Sequence, residues 1–215
     1  MMLIEQIFLV GINEKSNKIS LDYKDYLFYG AIIMDLILQE KISVSDNTLK
    51  IEILNKDSTD NTILDKMLKL IDINSGKNTL MEVCYEFMKR SNKSEFKEVI
   101  ISSLEASKFI KYLGKKMFKR RFQLTNPAQR ENISGEINAV LINNQKPTKE
   151  LMFLLSLLRI ESNFKKIIPK KLRKKADKRI REIVKQEFIG NAIQDYIEEL
   201  KEELQEAFDD ILDDD

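Results

Sequence analysis

The chain has 215 residues, of which 43% are apolar and 33% charged, the proportions of a soluble globular protein large enough for a substantial core. It contains no histidine, the commonest general base and zinc ligand. Its single cysteine, Cys84, permits neither an intramolecular disulfide nor a thiolate metal cage. We therefore expect no catalytic residue, no metal site and no cofactor.

The net charge of +1 conceals three segments that each carry charge of mainly one sign. Lys165–Arg181 holds ten basic residues against one acidic residue, and Lys97–Arg121 holds eight against two. Asp195–Asp215 holds eleven acidic residues against one lysine. This asymmetry predicts an anionic partner for the basic segments and an acidic tail.

Apolar spacing predicts three elements in the first part of the chain: a short element that is either helix or strand, then a helix, then a hairpin. Met2–Ile12 is a short apolar element, helix or strand, and Tyr26–Glu40 predicts a mostly buried helix whose only interior charge is Asp35. Ile42–Val44 and Leu49–Ile53 alternate apolar and polar residues around the turn sequence SDNT. That combination predicts a β-hairpin.

The rest of the chain is predicted to be mainly helical, with one more hairpin at Met117–Leu124. The predicted helices are Ile63–Ile71, Leu80–Lys89 capped by Thr79, Glu95–Leu113 capped by Gly114, Ile133–Ile142, Lys149–Ile160 and a basic amphipathic helix from Pro169. The Lys149–Ile160 helix is apolar all round, so we expect it at the centre of a bundle. The fold class expected is mainly α: a single helical domain over residues 1–190 with a central buried apolar helix and two small β-hairpins. Residues 191–215 are expected to form a C-terminal amphipathic helix with an acidic tail.

The second hairpin places Met117 and Phe118 among five basic residues, in the sequence KKMFKRR. An apolar pair inside a basic cluster suits a wedge that enters a membrane interface while its charges hold the surface. The candidate lipid-binding residues are Lys115, Lys116, Met117, Phe118, Lys119, Arg120 and Arg121 on the hairpin, and Lys170, Lys171, Lys174 and Lys175 on the basic helix. The alternative interpretation is that Phe118 and Phe122 pack into the core while the charges are solvated, those of the basic helix also being paired with the acidic tail.

A hairpin that follows a helix is also the plan of a winged-helix domain. The basic cluster would then bind nucleic-acid phosphates, with Phe118 or Phe122 stacking on bases. Against this hypothesis, no helix rich in Arg, Asn and Gln precedes either hairpin, and Tyr26–Glu40 is too apolar to lie in a groove. A winged-helix-like nucleic-acid-binding protein is therefore the alternative function, and nucleic acid is not the expected partner.

The order of several motifs along roughly residues 2–190 resembles the Golgi phosphoprotein 3 family, in its prokaryotic form. The motifs are apolar helices and polar turns that occur in the same order as in the family. They are the opening apolar helix with one acid at Leu3–Val10, the glycine and apolar helix running into a strand at Gly30–Ile42, the polar turn before Leu-Asp at Asp60–Asp65, and Pro147 followed by the apolar helix Leu151–Leu158.

The resemblance implies a mostly helical domain with small hairpins and a peripheral membrane protein without catalytic activity. Eukaryotic members bind phosphatidylinositol 4-phosphate and the cytoplasmic tails of Golgi glycosyltransferases. Their headgroup site uses a Trp, an Arg and two further basic residues, whereas here Ser20–Tyr23 lacks Trp, and Tyr29 and Ile100–Ser103 are not basic. An alignment shifted by one turn would bring Lys97 or Lys108 into this role. The headgroup is therefore left open among phosphoinositide-like and other acidic phospholipids.

We expect, from residues and resemblance together, a cytoplasmic peripheral membrane adaptor that binds an anionic membrane surface through the basic hairpin and the basic helix. Cytoplasmic tails of membrane proteins are possible further partners. No uncharged apolar run approaches the roughly 20 residues of a membrane span; the longest are Tyr26–Met34 and Leu151–Leu158. The first ten residues lack the basic start of a signal peptide, so none is expected.

Overall fold

The computed structural model describes residues 1–19, 24–45, 48–74, 76, 78–116, 119–159, 168 and 170–184. The α-helices in these ranges are α1 (Leu3–Gly11), α2 (Lys24–Leu38), α3 (Thr62–Ile73), α4 (Leu80–Met88), α5 (Arg90–Ala106), α6 (Pro127–Leu141), α7 (Lys149–Arg159) and α8 (Arg173–Val184), the last preceded by the 3-10 turn Lys170–Leu172. The strands form three antiparallel hairpins: β1 (Ile12–Asn13) with β2 (Lys18–Ile19), β3 (Ile42–Val44) with β4 (Ile51–Ile53), and β5 (Ile110–Lys116) with β6 (Lys119–Leu124). The predicted mainly α class is confirmed, and the hairpin β1–β2 adds to the two that were predicted.

Three apolar helices, α1, α2 and α7, form the centre of the fold and contact one another. Every residue of α1 is buried, and so are Leu27–Ile37 of α2 and Phe153–Leu158 of α7. Apolar burial of this kind contributes about 25 cal/mol for each Å² removed from water. The predicted central buried apolar helix is confirmed in α7, and two further helices share its position.

A buried carboxylate on α2 accepts hydrogen bonds from the backbone N–H groups at the N-terminus of α1. The backbone N–H groups of Leu3 and Ile4 donate to Asp35 Oδ1 at 2.9 Å and Oδ2 at 3.3 Å, and the N–H of Met2 donates to Glu5 Oε2 at 3.0 Å. The first N–H groups of an α-helix have no partner within the helix, and a buried one needs an acceptor from elsewhere. Asp35 therefore fixes the position of α1 along α2.

Burial changes the acidity of Asp35, which is only 5% exposed. Loss of solvent raises the pKa of this carboxyl from its ordinary value of 3.8 to about 7; the N–H donors oppose the rise, and the nearby Glu150 and Glu5 add to it. In the unfolded chain the pKa returns toward 3.8, so between the two values the folded protein binds more protons than the unfolded one. Stability therefore falls as the pH rises through this window.

The β3–β4 hairpin and the nearby helix cap Thr79 agree with the predictions from the sequence. β3 and β4 pair in the register Ile42↔Ile53, and the predicted cap Thr79 accepts from the N–H of Glu82 at 3.2 Å. Glu82 in turn accepts from the N–H of Thr79 at 3.0 Å, which completes a capping box. Tyr29 of α2 donates its hydroxyl to the carbonyl of Leu80 at 2.6 Å and so joins this corner to the central helices.

The β5–β6 hairpin, which corresponds to the prediction at Met117–Leu124, is longer than predicted. The predicted helix Glu95–Leu113 ends at Ala106, so the prediction of helix across its last residues was wrong. Lys108, with a φ of 57°, turns the chain from α5 into β5. The run Ile110–Leu113 fits a helical period, but its alternation of buried and exposed residues is that of a strand paired across to β6.

Two helix starts and one glycine also differ from the prediction. α5 begins at Arg90 rather than Glu95. α6 begins at Pro127 rather than Ile133, because proline is favourable in the first turn of a helix. Gly114 is not a helix cap; it lies in β5 with a φ of 81°, where the β5–β6 register shifts. Glycine adopts this conformation without steric cost.

We expect the free energy of unfolding to fall between about pH 4 and about pH 7, the unfolded and folded pKa values of Asp35, and the variant Asp35→Asn to remove much of that slope. Asparagine keeps an oxygen acceptor for α1 but does not ionise. Urea denaturation of both proteins at each pH measures the effect, and Asp57→Asn, which removes an exposed carboxylate, is the control. An identical pH slope in the wild type and Asp35→Asn would contradict the assignment.

Candidate functional site

The β5–β6 hairpin is anchored at its base by Phe122. This side chain is buried, and its ring packs against Phe8 of α1 and Tyr112 of β5 with centroids 5.1 and 5.6 Å apart. Its N–H donates to the carbonyl of Asn17 at 2.7 Å, which ties β6 to the β1–β2 hairpin. The part of the alternative interpretation that placed Phe122 in the core is confirmed, and Phe122 is not available to stack on a base.

The described cations of the hairpin differ in what they contact. Lys115 is exposed, whereas Arg120 forms an ion pair with Glu98 of α5. Arg121 is half-buried, and the side-chain oxygen of Asn17, once its amide is oriented to suit both neighbours, accepts from Arg121 Nη2 at 3.3 Å. Of these three candidate lipid-binding residues, only Arg120 is paired with a carboxylate, and Lys115 is the one that contacts neither an acid nor an amide in the described part of the chain.

The tip of the hairpin carries the remaining four candidates. Lys116 and Lys119 pair across the strands and so face each other on either side of the turn. Their side chains, and Met117 and Phe118 entirely, lie outside the described residues. The predicted wedge thus stays a prediction, at the end of a hairpin whose base is firmly held.

The basic helix α8 packs against α6 and α7 through a narrow apolar face. Ala176, Ile180 and Ile183 are buried on this face, at the spacing of one side of an α-helix. Burial of that side leaves the opposite side of the helix to solvent.

Four exposed lysines on α8 and on the 3-10 turn that leads into it have no acidic partner among the described residues, and we call them the cationic face of α8. They are Lys170, Lys171, Lys174 and Lys178. Three of them were candidates from the sequence. Lys178 was missed, although its position four residues after Lys174 places it on the same side of the helix.

Other basic residues of α8 have intramolecular contacts. Lys175 Nζ donates to the carbonyl of Ile142, at the C-terminal end of α6, at 2.6 Å. Arg181 pairs with Asp177 at 3.0 Å, one turn away on the same helix. The candidate Lys175 therefore has a structural contact that orients α8, in contrast to the cationic face.

The two groups of candidates occupy different parts of the fold. The hairpin contacts β2 and α5, whereas α8 contacts α6 and α7. Across the described ranges, no hydrogen bond or ion pair joins the hairpin to α8. Helix α6 links them, because it starts three residues after β6 ends and packs against both α8 and α1.

A shifted alignment would place Lys97 or Lys108 in a headgroup site, and the two lysines have different surroundings in the structure. Lys97 binds Asp25 at the start of α2 at 3.0 Å, and Lys93 approaches the same carboxylate at 3.6 Å. Lys108 is exposed on the turn before β5. The charge of Lys97 is thus matched by a carboxylate within the fold.

A surface cavity of about 530 Å³, not predicted above, lies between the β3–β4 hairpin and α3. The ion pair between Lys56 and Asp72, 2.7 Å long, lies in its wall. Lys50 and Glu52 also line it, so acids and bases are balanced there.

Two common kinds of functional feature are absent from the described residues. Within the described ranges, no group of three or more Cys, Asp or Glu side chains is placed to hold a metal ion. Nor, among those same residues, is any helix long and apolar enough to cross a membrane.

Comparison with known proteins identifies the family. A family model described as Golgi phosphoprotein 3 (GPP34) matches residues 3–200. The match runs from the first residue of α1 to beyond α8, so it includes all three hairpins and both groups of candidate residues. No curated protein matches the chain.

We expect Lys175→Ala to lower the free energy of unfolding by about 0.5–1.5 kcal/mol, because the variant loses the hydrogen bond to the Ile142 carbonyl. Lys174→Ala is the matched control, on the adjacent exposed position of the same helix, and should change stability by less than about 0.5 kcal/mol. Chemical denaturation measures both. Equal effects of the two substitutions would show that Lys175 does not fasten α8.

Proposed function

The chain belongs to the Golgi phosphoprotein 3 family, and from that premise we propose that it is a peripheral membrane adaptor that binds anionic lipid through α8 and the β5–β6 hairpin. Family membership suggests an adaptor-like role, and the family is one of non-enzymatic adaptors. Anionic lipid as the ligand, cytoplasmic tails of membrane proteins as further partners, and the absence of catalysis in this chain are parts of the proposal.

The observation that supports lipid binding most directly is the cationic face of α8. Lys171, Lys174 and Lys178 are spaced by three and four residues on the side opposite the buried Ala176 and Ile180. Each lysine held near an anionic bilayer contributes about 1 kcal/mol of attraction. A helix fixed to the domain by its apolar face thus presents several cations to one plane.

The hairpin would add an apolar contact to this electrostatic attraction. Phe122 is held in the core at the hairpin base. In our proposal, the membrane contact is therefore assigned to Phe118 and its neighbour Met117 at the tip. Interfacial binding of this kind depends on buried apolar area as well as on charge.

The alternative of nucleic-acid binding is disfavoured by burial. Phe122 cannot stack on a base, and α2, the helix before the β3–β4 hairpin, is enclosed by the core and cannot enter a groove. Duplex DNA therefore serves as the comparison ligand in vesicle-binding experiments.

We expect the triple variant Lys170→Gln/Lys171→Gln/Lys174→Gln to bind vesicles rich in phosphatidylserine on the order of a hundredfold more weakly than the wild type, at about 1 kcal/mol per lysine. Co-sedimentation at low salt measures this, and the wild-type affinity should fall steeply as salt screens charges over about 10 Å at 0.1 M. Lys175 is left intact because of its contact with Ile142.

The matched control removes the same charge from other exposed lysines, in the variant Lys50→Gln/Lys69→Gln/Lys89→Gln. It should bind nearly as well as the wild type. Equal loss in both variants would mean that net charge alone governs binding. Binding of the wild type to duplex DNA but not to anionic vesicles would overturn the proposal in favour of the nucleic-acid alternative.

We expect Met117→Ser/Phe118→Ser to weaken binding to anionic vesicles while leaving the salt dependence of the remaining affinity unchanged, since the variant keeps every basic residue. The apolar contribution is about 0.8 kcal/mol for each buried CH₂ equivalent, so the loss should exceed tenfold. Leu113→Ser, at another exposed apolar position of the same hairpin, is the control. Vesicle binding as tight as that of the wild type would remove the hairpin from the proposed surface.

A further inference from the structure

We propose that the acidic segment Asp195–Asp215 binds the cationic face of α8 and competes there with anionic membranes. The competition rests on the proposed function, whereas the contact between segment and helix does not. The protein would thereby carry an internal ligand that limits its own membrane binding.

The described residues supply no counter-charge to the cationic face. On α8 the available acids are already used: Asp177 pairs with Arg181 at 3.0 Å and Glu182 with Arg179 at 3.4 Å. The neighbouring Lys175 donates to a carbonyl rather than to a carboxylate. The lysines of the cationic face are thus exposed, adjacent and unmatched in the described part of the chain.

The acidic segment matches this face in charge and in spacing. It holds eleven acidic residues against one lysine. Glu199, Glu202 and Glu206 repeat the three- and four-residue intervals of Lys171, Lys174 and Lys178. A single ion pair at a surface is weak, but a repeat of matching intervals permits several at once.

The chain can reach back from the end of α8 to any lysine of the face. Asp195 follows Val184 by eleven residues, which span up to about 36 Å when extended. The twelve residues of α8 and the three of the 3-10 turn before it are together only about 24 Å long. The sequence between them includes Gly190, a residue type with few conformational restrictions. A linker this short raises the effective concentration of the segment to the millimolar range.

Two readouts without lipid test the contact in the full chain. Carbodiimide treatment at micromolar protein concentration should cross-link Lys171, Lys174 or Lys178 to carboxylates of Asp195–Asp215 within one chain, and high salt should abolish these links. Acetylation of the same lysines should be faster in Glu199→Gln/Glu202→Gln/Glu206→Gln than in the wild type. The control variant Glu52→Gln/Asp57→Asn/Glu131→Gln removes three exposed charges elsewhere and should leave the acetylation rates unchanged.

Binding to phosphatidylserine vesicles tests the competition. The segment variant should bind about fivefold more tightly than the wild type for each lysine released, and the control variant should not. Equal binding of the two variants would overturn the competition. Cross-links found only between chains, or unchanged acetylation in the segment variant, would overturn the contact. Absence of vesicle binding in every protein would contradict the proposed function, and the cross-links and acetylation rates would then decide the contact by themselves.

Discussion

The hydrogen bonds from α1 to Asp35 are the interaction on which the rest of the structure depends. A helix that is buried along its whole length gains much apolar burial, but it also takes the unpaired N–H groups of its first turn into the core. Asp35 accepts from two of them, and because it lies on α2 it also sets how the two central helices meet. Helix α7 and the base of the β5–β6 hairpin, through Phe122, then pack against α1. Burial of a carboxylate is the accompanying cost, visible in its raised pKa.

Much of the fold could be predicted because long apolar periods and clear caps are local signals. The central helix α7, the hairpin β3–β4 and the cap Thr79 all follow from a few neighbouring residues. The end of α5 could not be predicted in the same way, because Ile110–Leu113 fits either period and only the pairing with β6 makes it a strand. Asp35 was visible as a lone charge in an apolar helix, but its partner is an N-terminus more than thirty residues away in sequence.

The candidate site shows the same division between local and long-range information. Composition located the basic segments, and helical spacing was sufficient to find the exposed side of α8. Which of the candidate cations have partners within the fold could not be predicted. On α8, Lys175 contacts a carbonyl at the end of α6, and on the β5–β6 hairpin, Arg120 contacts Glu98 of α5. Phe122 is likewise placed in the core by its contact with Phe8, a residue 114 positions earlier in the chain. Charge counts therefore identify a surface, and only tertiary contacts identify its free charges.

The contact between Lys175 and the Ile142 carbonyl has a consequence for how a ligand would meet α8. Many amphipathic segments are unfolded in water and become helical only on a bilayer, so part of their binding free energy is lost in ordering the chain. Here the helix is already formed, and its rotation about its own axis is fixed by Lys175 and by the buried Ile180. The cations are thus preorganised, and the conformational entropy of the helix has been lost at folding rather than at association.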